Sequence, residues 1–260
     1  MKTDESPKQK PPIGPGYDKG ILQHRSPSSA EYRVRRLPHA KIKLDASLSE
    51  REWSLANIER HFAFPWETKP TPATEFLAFC DDAYFYFAFR VEDADVVMLD
   101  TLRHKKDVIF EDRVEIFFSP EHDVMNYFCL EIDPLGRTFD YQATYYRQFD
   151  REWHCEGLET VGKLTDRCYT VEVRIPLKTF ESLGISSFRP GHSGMICGLY
   201  RAEFSHDRNG KPVVKDAIQP GGPTLEITPP LEAWMSWIDP KTPEPDFHVP
   251  SSFGRFVIVE

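Results

Sequence analysis

Glu111–Pro120, EDRVEIFFSP, is the stretch whose reading decides the fold. Its residues alternate. Asp112, Val114, Ile116 and Phe118 fall on one face of a strand, and Glu111, Arg113, Glu115 and Phe117 on the other. The first set is apolar from Val114 onward and suits a core. The second sets two carboxylates, a guanidinium and an aromatic ring on the opposite face of one rigid element. That face has two readings. Either it is a solvated surface whose charges pair with one another, or its carboxylates accept hydrogen bonds from the hydroxyls of a sugar while a ring packs against it.

The flanking segments share the period of two. Phe76–Asp82 (FLAFCDD) and Ala83–Asp93 (AYFYFAFRVED) read as a hairpin turning at Asp81-Asp82. In its second strand Phe85, Phe87, Phe89 and Val91 take one face, and Tyr84, Tyr86, Ala88 and Arg90 the other. A strand apolar on both faces is central and covered on both sides. Tyr127–Asp133 (YFCLEID) sets Phe128, Leu130 and Ile132 against Tyr127, Cys129, Glu131 and Asp133. Pro134-Leu135-Gly136 then turns the chain, and Arg137–Tyr145 returns. Tyr169–Ile175 (YTVEVRI), Met195–Phe204, Ala233–Ile238 and Gly254–Val259 read as further strands. Leu177–Leu183 reads as the single short helix, with Gly184 at its C′ position. Ser49 precedes Glu52 at capping-box spacing, and residues 205–232 read as one long loop. The spacing predicts an all-β chain, an antiparallel β-sandwich of immunoglobulin or jelly-roll type over residues 41–260. Its core is expected to hold Phe85, Phe87, Phe89, Val114, Ile116, Leu130, Ile132, Val171 and Val173. Residues 1–40, rich in Lys, Pro, Gly and Ser, read as a flexible basic extension.

Composition narrows the function. The chain has 260 residues, of which 40% are hydrophobic and 13% aromatic, so it can bury a substantial core. Twenty-two prolines leave few long windows for a helix. A net charge of −9 argues against a nucleic-acid partner, which requires a cationic surface. No apolar run approaches the ~20 residues needed to span a bilayer, so no membrane partner is expected. The first ten residues, MKTDESPKQK, lack an apolar leader segment, which leaves a cytoplasmic protein or a processed secreted one open. The five cysteines show no C-x-x-C spacing, so neither a disulfide framework nor a zinc ribbon is indicated. No motif of a serine hydrolase, dinucleotide-binding turn, P-loop or zinc protease is present. Glu115 with Glu131 or Asp133 would supply the two carboxylates of a glycoside-processing enzyme; the expectation is nevertheless a non-catalytic protein.

The order of motifs resembles family 9 carbohydrate-binding modules. The resemblance runs collinearly through KLDASLSEREW (43–53), CDDAYFYFAFRVEDADV (80–96), EDRVEIFFSP (111–120), YTVEVRIPLKTF (169–180), MSWIDP (235–240) and FHVPSSFGRFVIV (247–259). It implies a β-sandwich that holds a terminal sugar of a polysaccharide such as xylan between two aromatic rings, with polar side chains reading the hydroxyls. Phe247 stands where the family carries its C-terminal clamp Trp, and Glu111, Glu115 and Glu131 stand at polar contact positions. The second clamp ring should precede the strand motif; Ile109-Phe110 stands there, and Trp66 or Trp153 are the substitutes. Arg113 or Arg201 would donate to sugar oxygens. The resemblance also implies structural calcium, for which Asp93, Asp95 and Asp112 supply hard oxygen ligands. A haem-carrying relative would need axial Met, His or Lys ligands on a sheet face; Met98 and Met125 lie at loop edges, and no haem attachment motif is present. A scaffold that keeps the sandwich and has lost the sugar site is the remaining alternative.

Overall fold

In the computed structural model, residues 26–67, 71–185, 194–206, 214–219, 222–227 and 233–260 are described. The elements are β1 (Glu31–Arg36), α1 (Arg51–Leu55), β2 (Asn57–Glu59), β3 (Thr74–Cys80), β4 (Tyr84–Glu92) and a 3-10 turn at Lys105–Phe110. There follow β5 (Arg113–Ser119), β6 (Asn126–Ile132), β7 (Thr138–Thr144), β8 (Gln148–Asp150), β9 (Glu159–Leu164), β10 (Cys168–Pro176), α2 (Leu177–Ser182) and β11 (Met195–Glu203). The chain ends with β12 (Val214–Gln219), β13 (Gly222–Ile227), β14 (Ala233–Ser236), a second 3-10 turn at Pro250–Ser252 and β15 (Gly254–Val259). Among the described residues no helix is long and apolar enough to cross a membrane.

The strands pair in the order β8-β7-β6-β5-β11-β15-β1-β3-β4-β10-β9, with β14 beside β11 and β2 beside β3. The all-β class is as expected. A purely antiparallel sandwich gives way to one curled, mixed sheet, because β1 runs parallel to both β15 and β3. It links two antiparallel runs that would otherwise stand apart. Residues 31–36 fall inside the stretch read as an unpacked extension, yet Tyr32 and Val34 alternate inward and are buried. Arg33, Arg35 and Arg36 hide that alternation in the sequence. The Tyr32 hydroxyl donates to Asn57 O at 2.6 Å and accepts from Ala78 N at 2.7 Å, filling the gap where β1 and β3 diverge. Residues 1–25 of the extension lie outside the described residues.

Two hairpins follow from aspartates. Asp81 Oδ1 accepts from the N–H groups of Ala83 and Tyr84 at 2.7 Å each, turning β3 into β4. Asp133 Oδ1 does the same for Leu135 and Arg137, turning β6 into β7. Gly136 in this turn has φ +82°, a left-handed conformation that favours glycine. β9, at the far end of the sheet path, returns to that turn, where Thr160 Oγ1 donates to Gly136 O at 2.5 Å.

The main core lies between the two runs and contains all nine expected core residues. Rings from opposite runs meet there: Phe76 and Phe85 pack on Phe256, and Phe85 and Phe118 on Phe180. β4 is central, between β3 and β10, and on its other face Tyr86 and Ala88 cluster with Leu77 and Phe79 of β3 and Trp53 of α1. The expected Ser49 cap is not formed. The residue before α1 is Glu50, and Ser49 Oγ instead meets Ser47 Oγ. The stretch read as a loop over 205–232 contains the hairpin β12–β13, and the rest of it lies largely outside the described residues.

Candidate functional site

β5 is buried on both faces, so its charged side is not a solvated surface. Strand register builds that side residue by residue. Glu115 faces Glu131 on β6 and Tyr200 on β11, while Arg113 faces Ala202, whose other neighbour is Trp234 on β14. Cys129 on β6 faces Tyr141 on β7. All therefore share the outer face, away from the main core.

One guanidinium serves two carboxylates there. Arg113 Nε stands 2.8 Å from Glu115 Oε1 and 2.8 Å from Glu131 Oε2. The Tyr141 hydroxyl donates to Glu131 Oε1 at 2.8 Å, and Arg113 Nη1 donates to Ile109 O at 3.0 Å. Glu115 is only 2% and Glu131 5% exposed. Burial, and next the charge of Glu131, push the Glu115 carboxyl up to about 8, against the pull of Arg113. Burial opposes the charge on Arg113, but the two carboxylates outweigh it and raise its pKa.

Aromatic rings roof this floor. Phe247 stacks on Tyr200 with centroids 4.3 Å apart and planes at 17°. Trp66 and Trp234 approach Phe247 at 5.7 Å and 5.3 Å, and the Trp234 ring lies 5.2 Å from the guanidinium carbon of Arg113. Trp66 and Trp234 are half-buried, whereas Phe247 is 6% exposed. Beside them Arg147 pairs with Asp246 at 3.1 Å and packs over the Phe149 ring. His248 is half-buried and stacked on Phe117, and burial first, then Arg147 and Arg113, drive its pKa well down, so it is neutral.

The structure thus brings Glu115, Glu131, Arg113 and Phe247 together and takes others away. Arg201 faces Val114 and so points into the main-core side, where it donates to Thr74 Oγ1 at 3.0 Å and Glu92 O at 2.9 Å. It is one residue out of phase with Tyr200 and Ala202. Glu111 is wholly buried, accepting from Leu99 N at 2.6 Å and Arg137 Nη2 at 2.8 Å, so it pins a loop. Trp153 packs on Phe128 at 5.0 Å, in the main core and across the sheet from Glu131. Phe110 is half-buried in the peptide run to which Arg113 donates.

The matching stretch includes the floor. The chain matches the family described as "Carbohydrate family 9 binding domain-like" over residues 44–214, well over half its length. It belongs to that family. This family 9 binding domain-like chain also resembles solved structures. One, a Bacteroides uniformis ATCC 8492 protein proposed to bind carbohydrate, has a TM-score of 0.60 at 17% identity and covers 89% of this chain and 100% of its own. Another is a carbohydrate binding module family 9 (CBM9) from Caldicellulosiruptor kristjanssonii in complex with glucose. Its TM-score is 0.51 at 15% identity, covering 88% of this chain and 96% of that one. The same organism's module with cellotriose has a TM-score of 0.51 at 16% identity, covering 88% and 93%. At these identities the likeness is one of fold. No curated protein matches.

Within the family 9 binding domain-like chain, the three aspartates expected to hold calcium are engaged with the protein, save Asp93 Oδ2, which is buried without a hydrogen-bond partner. Asp112 directs one oxygen to Val97 N at 2.5 Å and the other to Phe204 N at 2.6 Å. Asp95 pairs with His206 Nδ1 at 2.7 Å, and Asp93 accepts from Asp95 N at 2.8 Å. Among the described residues no group of three His, Cys, Asp or Glu side chains converges to hold a metal. Sequence reasoning missed Tyr141, Tyr200 and Trp234. Phe139, Tyr141 and Ala143 alternate after the Pro134-Leu135-Gly136 turn, and counting the register across it places Tyr141 opposite Cys129, on the face of Glu131 and diagonal to it.

Proposed function

We propose that this chain is a non-catalytic carbohydrate-binding domain, holding a neutral sugar on the outer face of β5, β6 and β11. What carries the reading is the Arg113–Glu115–Glu131 floor beneath half-buried indoles, in a chain of this family. Buried carboxylates held by a guanidinium are fixed acceptors, and aromatic faces supply the apolar contact a pyranose needs. The glucose and cellotriose bound by the Caldicellulosiruptor modules support the ligand class. Glycoside hydrolysis is not favoured, because Glu115 and Glu131 are already engaged with Arg113 and Tyr141.

Calorimetry of the full chain with glucose, cellotriose and xylotriose tests this. Saturable binding to a neutral sugar is expected, and Glu131→Gln should weaken it about tenfold by disturbing the floor. Absence of heat with every neutral sugar contradicts the proposal. The sinking of Phe247 against Tyr200 favours a second reading, a sheet scaffold that has lost its sugar site, and that outcome would support it.

A further inference from the structure

The outer face of the sheet is capped in two places. Trp53 and its neighbours cover it over β3 and β4, and the cluster that holds Phe247 and Phe253 covers it over β5, β6 and β11. β15 and β1 run between these caps. Their inward residues, Tyr32, Val34 and Phe256, belong to the main core. Parallel register then sets Glu31 beside Arg255, Arg33 beside Val257 and Arg35 beside Val259 on the outer side. Val257 and Val259 are half-buried, and among the described residues neither joins a buried apolar cluster. Ile58 on β2 shares this face, because it pairs with Leu77, which lies on the same side as Phe79, the partner of Arg35. It is 38% exposed. Asn57 Nδ2 donates to Arg33 O at 2.6 Å and holds β2 beside β1. Charge on the face is unevenly matched. Arg255 is paired with Glu31, whereas Arg33 and Arg35 are exposed and, among the described residues, neither meets a carboxylate.

We propose that the outer face of β1 and β15 docks an acidic, amphipathic protein segment. Its carboxylates pair with Arg33 and Arg35, and its apolar side chains cover Val257, Val259 and Ile58. This surface is independent of the sugar reading. Charge complementarity carries the choice of partner, since a cationic strip beside bare apolar side chains stands out on a chain of net charge −9. Arg33 and Arg35 are two residues apart on one strand, about 6.5 Å, which is also the spacing of alternate carboxylates on an extended segment. Each guanidinium can take a carboxylate through two parallel hydrogen bonds. Other occupants fit less well. A second copy seated by two-fold symmetry would set one cationic strip against another. Residues 1–25 carry Lys2, Lys8, Lys10, Lys19 and Arg25 against Asp4, Glu5 and Asp18, an excess of the same sign as the strip. A polyanionic sugar chain would bring hydroxyls that need partners, and the positions beside the arginines are valines.

The test is a random peptide library displayed on phage and panned on the full wild-type chain, with counter-selection on the double variant Arg33→Glu, Arg35→Glu. Peptides enriched on wild type should combine Asp or Glu with Leu, Ile, Val or Phe. A labelled copy of the most enriched peptide, followed by fluorescence anisotropy, should bind the double variant at least about tenfold more weakly. Its affinity for wild type should fall as sodium chloride is raised, and Ile58→Asp should weaken it as well. Thermal melts separate lost binding from lost folding, and the double variant Arg33→Gln, Arg35→Gln carries the test if the Glu variant does not fold. Enriched peptides without acidic residues, or none that prefer wild type to the double variant, would overturn the proposal. Heparin bound more tightly than the peptide, and lost in the double variant, would make the partner a polyanionic sugar and overturn the protein segment. So would a wild-type dimer in sedimentation that the double variant lacks, which would make the occupant a second copy.

Discussion

Glu115 has one partner too few. It and Glu131 divide a single guanidinium inside the protein, so ionising both would leave one excess negative charge where water cannot screen it. Burial and Glu131 lift its pKa from 4.5 to about 8, so the native state keeps a proton that the unfolded chain releases. A raised carboxylate pKa gives stability that is complete below the unfolded value and is lost as pH climbs through the folded one. Glu115→Gln has no such proton to lose. Its melting temperature relative to wild type should therefore rise between about pH 5 and about pH 8.5, and an unchanged difference would show that Glu115 is ionised throughout. Tyr141→Phe should cost about 1–2 kcal/mol in denaturant melts, because Glu131 Oε1 loses a buried donor. A smaller loss would mean that water replaces the hydroxyl. Much of this floor was legible in EDRVEIFFSP, since alternation alone puts Arg113 with Glu115. Arg201 was not, because its residue type suits a sugar site while its phase on β11 does not. Type was read there and parity was not.

At the scale of elements, buried side chains tie loops to strands. Glu172 on β10 is fully buried and accepts from Trp53 Nε1 at 3.1 Å, Asp45 N at 3.0 Å and Ala46 N at 2.7 Å. The opening segment and α1 are thereby fastened over β4. Glu172→Ala would leave three donors without acceptors and should cost about 3 kcal/mol or more, readable as a lower denaturant midpoint. A variant as stable as wild type would show that the segment rehydrates freely. The strands were legible because hydrophobic side chains repeat every second residue; β15 begins and ends where the sequence placed it. β1 was not, because its arginines point outward between Tyr32 and Val34 and read as an extension. A parallel partner gives no local signal, since β1 meets residues more than two hundred positions away.

For the whole molecule, the curl of the sheet depends on its ends meeting. A Cβ at Gly162 would stand 2.2 Å from Pro134 O and 2.5 Å from Gly136 N, both backbone atoms that cannot swing aside. Gly162→Ala should thus force β9 off the β6–β7 turn and cost about 1–3 kcal/mol, with faster hydrogen exchange in β9. Unchanged exchange would place the strain elsewhere. Phe87→Ala, which opens a cavity between the two runs, should cost about 3–5 kcal/mol in thermal or denaturant melts. An unchanged midpoint would show that the ring is not packed in the core.

The location of the sugar on this fold is most directly tested by the five tryptophan indole N–H signals in a nuclear magnetic resonance titration with cellotriose. Trp66 and Trp234 lie on the outer face, while Trp53, Trp153 and Trp237 pack in other clusters. Saturable shifts confined to the Trp66 and Trp234 signals are predicted. Shifts at Trp153 or Trp237 with Trp66 and Trp234 silent, or no shift at any of the five, would contradict the account.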